Sequence, residues 1–117
     1  MQASPQFAIL VPGHQLFTTF ESYQDKLILT LPSPASINTI SFSLIQPLPA
    51  SDIAATIGFS APPYDSISFI GAIANTRPSD TFHTGWALMP DINTKSEIKV
   101  VIEVKPLSEV ADSVKIK

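Results

Sequence analysis

Proline cuts this chain into short pieces. There are 11 prolines in 117 residues, and each can be placed between apolar runs or at the end of one. Proline has no N–H to give to a sheet ladder and its ring fixes φ, so it is confined to turns, edges and strand ends. Between the prolines lie short runs rich in Ile, Val, Phe and Thr, which fit a pleated surface. Short strands separated by turns are what this punctuation permits.

Taken in order, residues 6–11 form an apolar run closed by Pro12-Gly13, a turn signal. Residues 16–20 read as a second strand and the polar stretch 21–25 as a turn. In 26–31, Leu27, Leu29 and Leu31 share one face. Residues 37–45 alternate cleanly, with Ile40, Phe42 and Leu44 on one side and Thr39, Ser41 and Ser43 on the other. That is the period of a strand with one wet face. Ser51-Asp52 ahead of 53–55 can cap a short helix. Ile57-Gly58-Phe59 follow directly, however, and strand is the expectation for 53–59. Residues 97–105 place Ile98, Val100, Ile102 and Val104 inside and Lys99, Glu103 and Lys105 outside. Val101 interrupts that outer face and predicts partial cover there. Gly58 and Gly71 lie inside strands, where each predicts a bulge or a close backbone approach.

The expected fold is all-β: an antiparallel β-sandwich over residues 1–105. Residues 106–117 form a tail. Leu107, Val110, Ala111 and Val114 have helical spacing after Pro106, so the tail is either a frayed end or a linker into a further domain.

The stretch 69–82 gathers the most apolar and aromatic surface near a constrained loop. It reads as strand, turn, strand, with the turn at Asn75-Thr76-Arg77-Pro78. Asn tolerates left-handed backbone, and Pro fixes φ. Phe82, His83, Trp86 and Met89 follow, and 84–96 reads as a loop. Phe42, Phe59 and Phe69 lie on strand patterns. Trp86 and Met89 either plug the end of the sandwich or form an exposed anchor, a role for which both are suited.

Chemistry is sparse. His14 and His83 have no metal-like companion spacing. The aspartates sit mostly at turns, where they bond backbone. Four glycines spread over the chain cannot build a phosphate loop, and no serine sits in a nucleophile elbow. No catalytic residue, metal ligand or cofactor is assigned, and an enzyme is not expected. Zero cysteines exclude thiolate chemistry and disulfides. A net charge of −3 with 7 scattered Lys and Arg offers no basic patch, so neither nucleic acid nor a membrane is expected as a partner. No stretch is long enough to span a bilayer and no signal-peptide pattern is present.

Three segments resemble the Hikeshi family of nuclear import carriers. Residues 71–82, with Arg77-Pro78-Ser79 and Phe82, are similar to its G-x-x-x-x-x-K-P-S-A-I-F segment. Phe7-Ala8-Ile9-Leu10-Val11-Pro12-Gly13 resembles its opening. Asp25-Lys26-Leu27-Ile28-Leu29-Thr30-Leu31-Pro32, with Ser36-Ile37-Asn38 beyond, resembles its early strand and turn. Order and spacing agree over most of 7–105. The sequence departs from the family pattern at Asp80 and Thr81, which replace an apolar pair. Its 84–96 loop is shorter and lacks a Pro-Phe element.

The resemblance implies a jelly-roll type of sandwich that binds the Phe-Gly repeats of nucleoporins through a hydrophobic pocket. It implies nuclear import of heat-shock ATPase chaperones during stress, with the protein in cytoplasm and nucleus. It also implies a further C-terminal domain, absent from this chain, that supports homodimerisation and chaperone binding. Apolar character and position single out Phe69, Pro78, Phe82, Trp86 and Met89 as the expected binding residues. The competing expectation is a structural β domain that assembles through a sheet edge. A small-ligand or carbohydrate-binding jelly roll is a third class, resting on fold analogy.

Overall fold

A computed structural model describes residues 6–110. Eight strands form two sheets, and every pairing between them is antiparallel. They are β1 (Phe7–Leu10), β2 (Glu21–Tyr23), β3 (Lys26–Pro32), β4 (Thr39–Leu44), β5 (Ile53–Ser60), β6 (Ser68–Ile73), β7 (Ser79–His83) and β8 (Glu97–Pro106). The smaller sheet has the order β1-β4-β7, the larger β2-β3-β8-β5-β6. Two short helices, α1 (Pro90–Asn93) and α2 (Leu107–Val110), complete the described elements together with 3₁₀ turns at Pro34–Ser36 and Trp86–Leu88.

One core lies between the sheets. The small sheet sends in Phe7, Ile9, Ile40 and Phe42; the large one sends in Leu29, Leu31, Ile57, Ile98, Val100 and Ile102. These are the alternating positions of each strand, as period two requires. Phe7 and Phe42 meet with ring centroids 5.7 Å apart. Leu27 and Leu44 are partly buried at the margin of the same cluster.

The link between β6 and β7 closes the sandwich. β6 belongs to the large sheet and β7 to the small one, so the chain crosses from layer to layer through the turn at 74–77. Ala74 and Arg77 bridge it with reciprocal backbone bonds of 3.1 and 2.8 Å. Asn75 holds it with its side chain rather than with left-handed backbone, since its φ is not positive. Its Oδ1 accepts from the Leu48 N–H at 2.7 Å and its Nδ2 donates to the Leu48 carbonyl at 3.0 Å. On the far side of the turn Phe82 folds inward over Gly71, where any Cβ would collide with the ring. Gly58 serves the other expected role: the β5–β6 register shifts at Ile57/Gly58, and a Cβ there would lie 2.7 Å from the Ser68 carbonyl.

Several expectations need correction. Residues 16–20 form no strand; Phe17 makes one isolated bridge to Ile9. The polar stretch at 21–23 is instead β2, joined to β3 by the tight turn Gln24-Asp25 with Gln24 at φ 55°. An exposed edge strand needs no apolar face, so backbone pairing overrides its polar composition. Val104 is 44 % exposed, not inside. The ten-residue β8 outruns the small sheet, whose strands are four to six residues long. The 84–96 stretch is more ordered than a loop, holding the 3₁₀ turn and α1. In the tail, Val110 is buried against Ala54, Ala72 and Ala74 on the outer face of the large sheet. Ala111 and Val114 lie outside the described residues.

Gly71→Ala should destabilise the protein by about 1–3 kcal/mol, the usual cost of overpacking. Denaturant unfolding checks this. Adding Phe82→Leu to that variant should cost less than it does alone, because the two positions share one contact.

Candidate binding site

The five expected residues do not converge. Phe82 is half-buried in the core cluster. Phe69 is exposed on the outer face of the large sheet, where it lines a cleft with Thr56, Gly58 and Ile67. Pro78 is exposed at the end of the crossover turn. Trp86 is fully buried, with 0 % of its surface accessible, so it is a core residue rather than an exposed anchor. Its indole stands edge-on to Phe59 at 5.4 Å. Met89 is 37 % exposed at the head of α1.

The burial of Trp86 organises the loop around it. Thr84 donates its hydroxyl to the Ile37 carbonyl at 2.6 Å, and the same oxygen accepts from the Trp86 N–H at 3.3 Å. Gly85 takes φ 69°, which turns the chain inward. Trp86 then points into the core and Ile92 is buried beside it. Between these two anchors the chain has nowhere to bury Leu88, which is 88 % exposed. Leu88 therefore stands exposed on a short segment pinned at both ends, while the methyl of Met89 turns back towards Gly85. Leu88 was missed in the sequence because its neighbour Trp86 dominates the stretch. A 3₁₀ turn separates the directions of the two side chains.

A second apolar surface lies on the outer face of the large sheet. A cleft of about 530 Å³ is bounded by Tyr23 of β2 and by Tyr64 in the loop after β5, with Ile28, Ile67 and Val101 beneath. A smaller cleft of about 230 Å³ adjoins it, sharing Ile67 and Val101 and ending at Phe69 and Lys105. Val101, the residue that interrupts the polar face of β8, is buried, as the expected cover there requires, among neighbours that include Ile28 and Ile67. Tyr64 sits at φ 66° in a turn closed by its N–H to the Ala61 carbonyl at 2.7 Å. Its phenol donates to Glu97 at 2.7 Å, and the Lys99 ammonium lies 4.6 Å from its ring centroid.

No group of three or more His, Cys, Asp and Glu side chains among the described residues is placed to hold a metal. His14 and His83 are both exposed. The remaining ion pairs are peripheral, the shortest being Arg77 to Asp80 at 2.7 Å.

Two measurements probe these environments. Trp86, as the single tryptophan, should emit as a buried indole and resist quenching by iodide. Trp86→Ala should cost about 3–5 kcal/mol on unfolding. The Tyr64 phenol is pushed up from 10.0 to about 12, chiefly by its hydrogen bond to the Glu97 carboxylate, then by desolvation and by the Glu97 charge. A raised phenol favours the folded state fully below its unfolded value. That contribution is lost as pH rises from 10.0 towards 12. Ultraviolet titration should therefore find a tyrosine ionising near pH 12 that moves down in Glu97→Gln.

No protein-family model matches the chain, and no curated protein matches it at a significant level.

Proposed function

We propose that this domain is a nuclear import carrier module of the Hikeshi type, which binds the Phe-Gly repeats of nucleoporins. The reading includes the jelly-roll winding of that family and a place in both cytoplasm and nucleus. It assigns no catalytic step to the domain. Chaperone cargo and homodimerisation belong, on this reading, to the longer protein with its C-terminal domain.

The observation that carries the site is the Leu88–Met89 pair. Leu88, 88 % exposed, projects from a segment anchored by buried Trp86 and Ile92, and the partly exposed Met89 follows it in the chain. A phenylalanine ring laid against them buries on the order of 100 Å², giving about 2–3 kcal/mol before association costs. One such contact is weak. A carrier that moves through a repeat mesh needs weak contacts in number, and a repeat chain supplies them by multivalency. The agreement of three sequence segments in order and spacing supports the family part of the reading.

Assembly through a sheet edge is less well supported at β7. There Asp80 Oδ1 accepts the Thr81 N–H at 2.8 Å, and Arg77 holds the other carboxylate oxygen. An edge N–H satisfied by its own side chains is a poor template for another strand.

The test is a titration of ¹⁵N-labelled protein with a Phe-Gly repeat peptide and a Ser-Gly control. Amides of residues 82–93 should shift with the Phe peptide alone, and Leu88→Ser should weaken the response severalfold without unfolding the protein. Silence at millimolar peptide, or an equal response to the control, would reject the reading.

A further inference from the structure

We propose that Asn93 is the positioning residue of the Leu88 surface: it clasps the chain on both sides of Leu88 and presents that side chain from a rigid platform. The inference rests on the reading that Leu88 meets the phenylalanine rings of the repeats, and it names what fixes that contact in place.

The need for a clasp starts in the sequence. In the 3₁₀ turn at Trp86–Leu88, the Gly85 carbonyl accepts the Leu88 N–H at 3.0 Å and the Trp86 carbonyl accepts the Met89 N–H at 3.1 Å. The next carbonyl in that series is Ala87, whose donor would come from three residues on. That position is Pro90, and proline has no N–H to give. The side chain of Asn93 supplies the missing donor: its Nδ2 donates to the Ala87 carbonyl at 3.0 Å. The backbone N–H of the same residue donates to the Met89 carbonyl at 2.8 Å, beside the Ile92 N–H at 2.9 Å. One residue thus holds the carbonyl before Leu88 and the carbonyl after it.

Pro90 adds a second restraint. A residue that precedes proline is pushed into extended backbone, and Met89 has φ −101° and ψ 109°. Leu88 is therefore fixed in direction although it is 88 % exposed. A side chain held in advance loses less freedom on binding than one on a loose loop. The amide is also the group this place requires. Aspartate has the same length but no N–H donor, so its carboxylate would face the Ala87 carbonyl oxygen.

The experiment uses the ¹⁵N-labelled 117-residue chain with Asn93→Ala, Asn93→Asp and Thr94→Ala. Thr94 Oγ1 donates to the Pro90 carbonyl at 3.3 Å, so Thr94→Ala removes a side-chain bond from the same helix and leaves both flanks of Leu88 tied. Backbone relaxation without peptide should give Ala87, Leu88 and Met89 order parameters of about 0.85, the value of rigid backbone, in the unaltered chain and in Thr94→Ala. Both Asn93 variants should lower them towards about 0.6. The Phe-Gly peptide should then bind the Asn93 variants about fivefold more weakly, the effect of one freed side chain, and Thr94→Ala as before. Trp86 should keep its buried emission in every variant, which separates a loosened Leu88 from an unfolded loop. Unchanged order at 87–89 in Asn93→Ala would overturn the proposal. So would equal losses in Thr94→Ala, or undiminished peptide binding by the loosened variants. If the unaltered chain ignores the peptide, the carrier reading fails and takes the binding role of the clasp with it. That failure shows in the unaltered chain, whereas failure of the clasp itself shows in the relaxation measured without peptide.

Discussion

The contact of Phe82 with Gly71 is the constraint on which the sandwich depends. The chain must leave the large sheet at the end of β6 and enter the small one at β7 within a few residues. It can do so only if the two strands come close, and the missing side chain at Gly71 supplies that closeness. The ring of Phe82 then fills the gap between the layers. Asn75 adds a second tie, binding both backbone groups of Leu48 and so linking the crossover to the segment between β4 and β5. These two contacts set how the sheets face each other, and the shared core of Ile, Leu, Val and Phe follows from that placement.

The two outer faces then diverge. The small sheet presents hydroxyls: Ser41 and Ser43 of β4 lie opposite Thr81 and Ser79 of β7, and Ser41 and Thr81 hydrogen-bond at 2.9 Å. These groups bond each other or water, and Leu10 of β1, opposite Ser41, is the large apolar side chain exposed beside them. The large sheet presents Ile67 and Phe69, with Ile28 partly covered, Val101 buried and lysines around them. Part of that face is already covered where Val110 rests on Ala54, Ala72 and Ala74. The chain's own α2 supplies that cover.

Much of the strand pattern could be read in advance, and for a physical reason. The alternation of Ile40 and Phe42 with Ser41 and Ser43 can satisfy only a half-buried strand, and Ile98, Val100 and Ile102 do the same for β8. The turn prolines removed the alternatives. The edge strand β2 was not legible, because Glu21, Ser22 and Tyr23 bury nothing and are held by backbone bonds to β3. Val104 failed for the opposite reason. Its pattern is correct, but no layer extends far enough to cover it. The candidate site was legible only in part. Phe82 and Trp86 have the character of binding residues, yet the same large apolar surface makes them good core. Leu88 and Tyr64 carried no local signal that set them apart.

By itself the sequence determined that this chain folds into short antiparallel strands, because proline spacing and period-two alternation act over a few residues. It also determined that Gly58 and Gly71 stand where side chains cannot, since a glycine within a strand costs stability unless the space is needed. Tertiary structure alone decided which apolar residues face water. Trp86 went inward and Leu88 outward because Thr84, Gly85 and Ile92 leave room for one ring and no more. Tyr23 and Tyr64, 41 positions apart in the numbering, came to flank one groove because β3 pairs with β8 and β8 with β5. Such meetings depend on strand order, which no local pattern in the chain encodes.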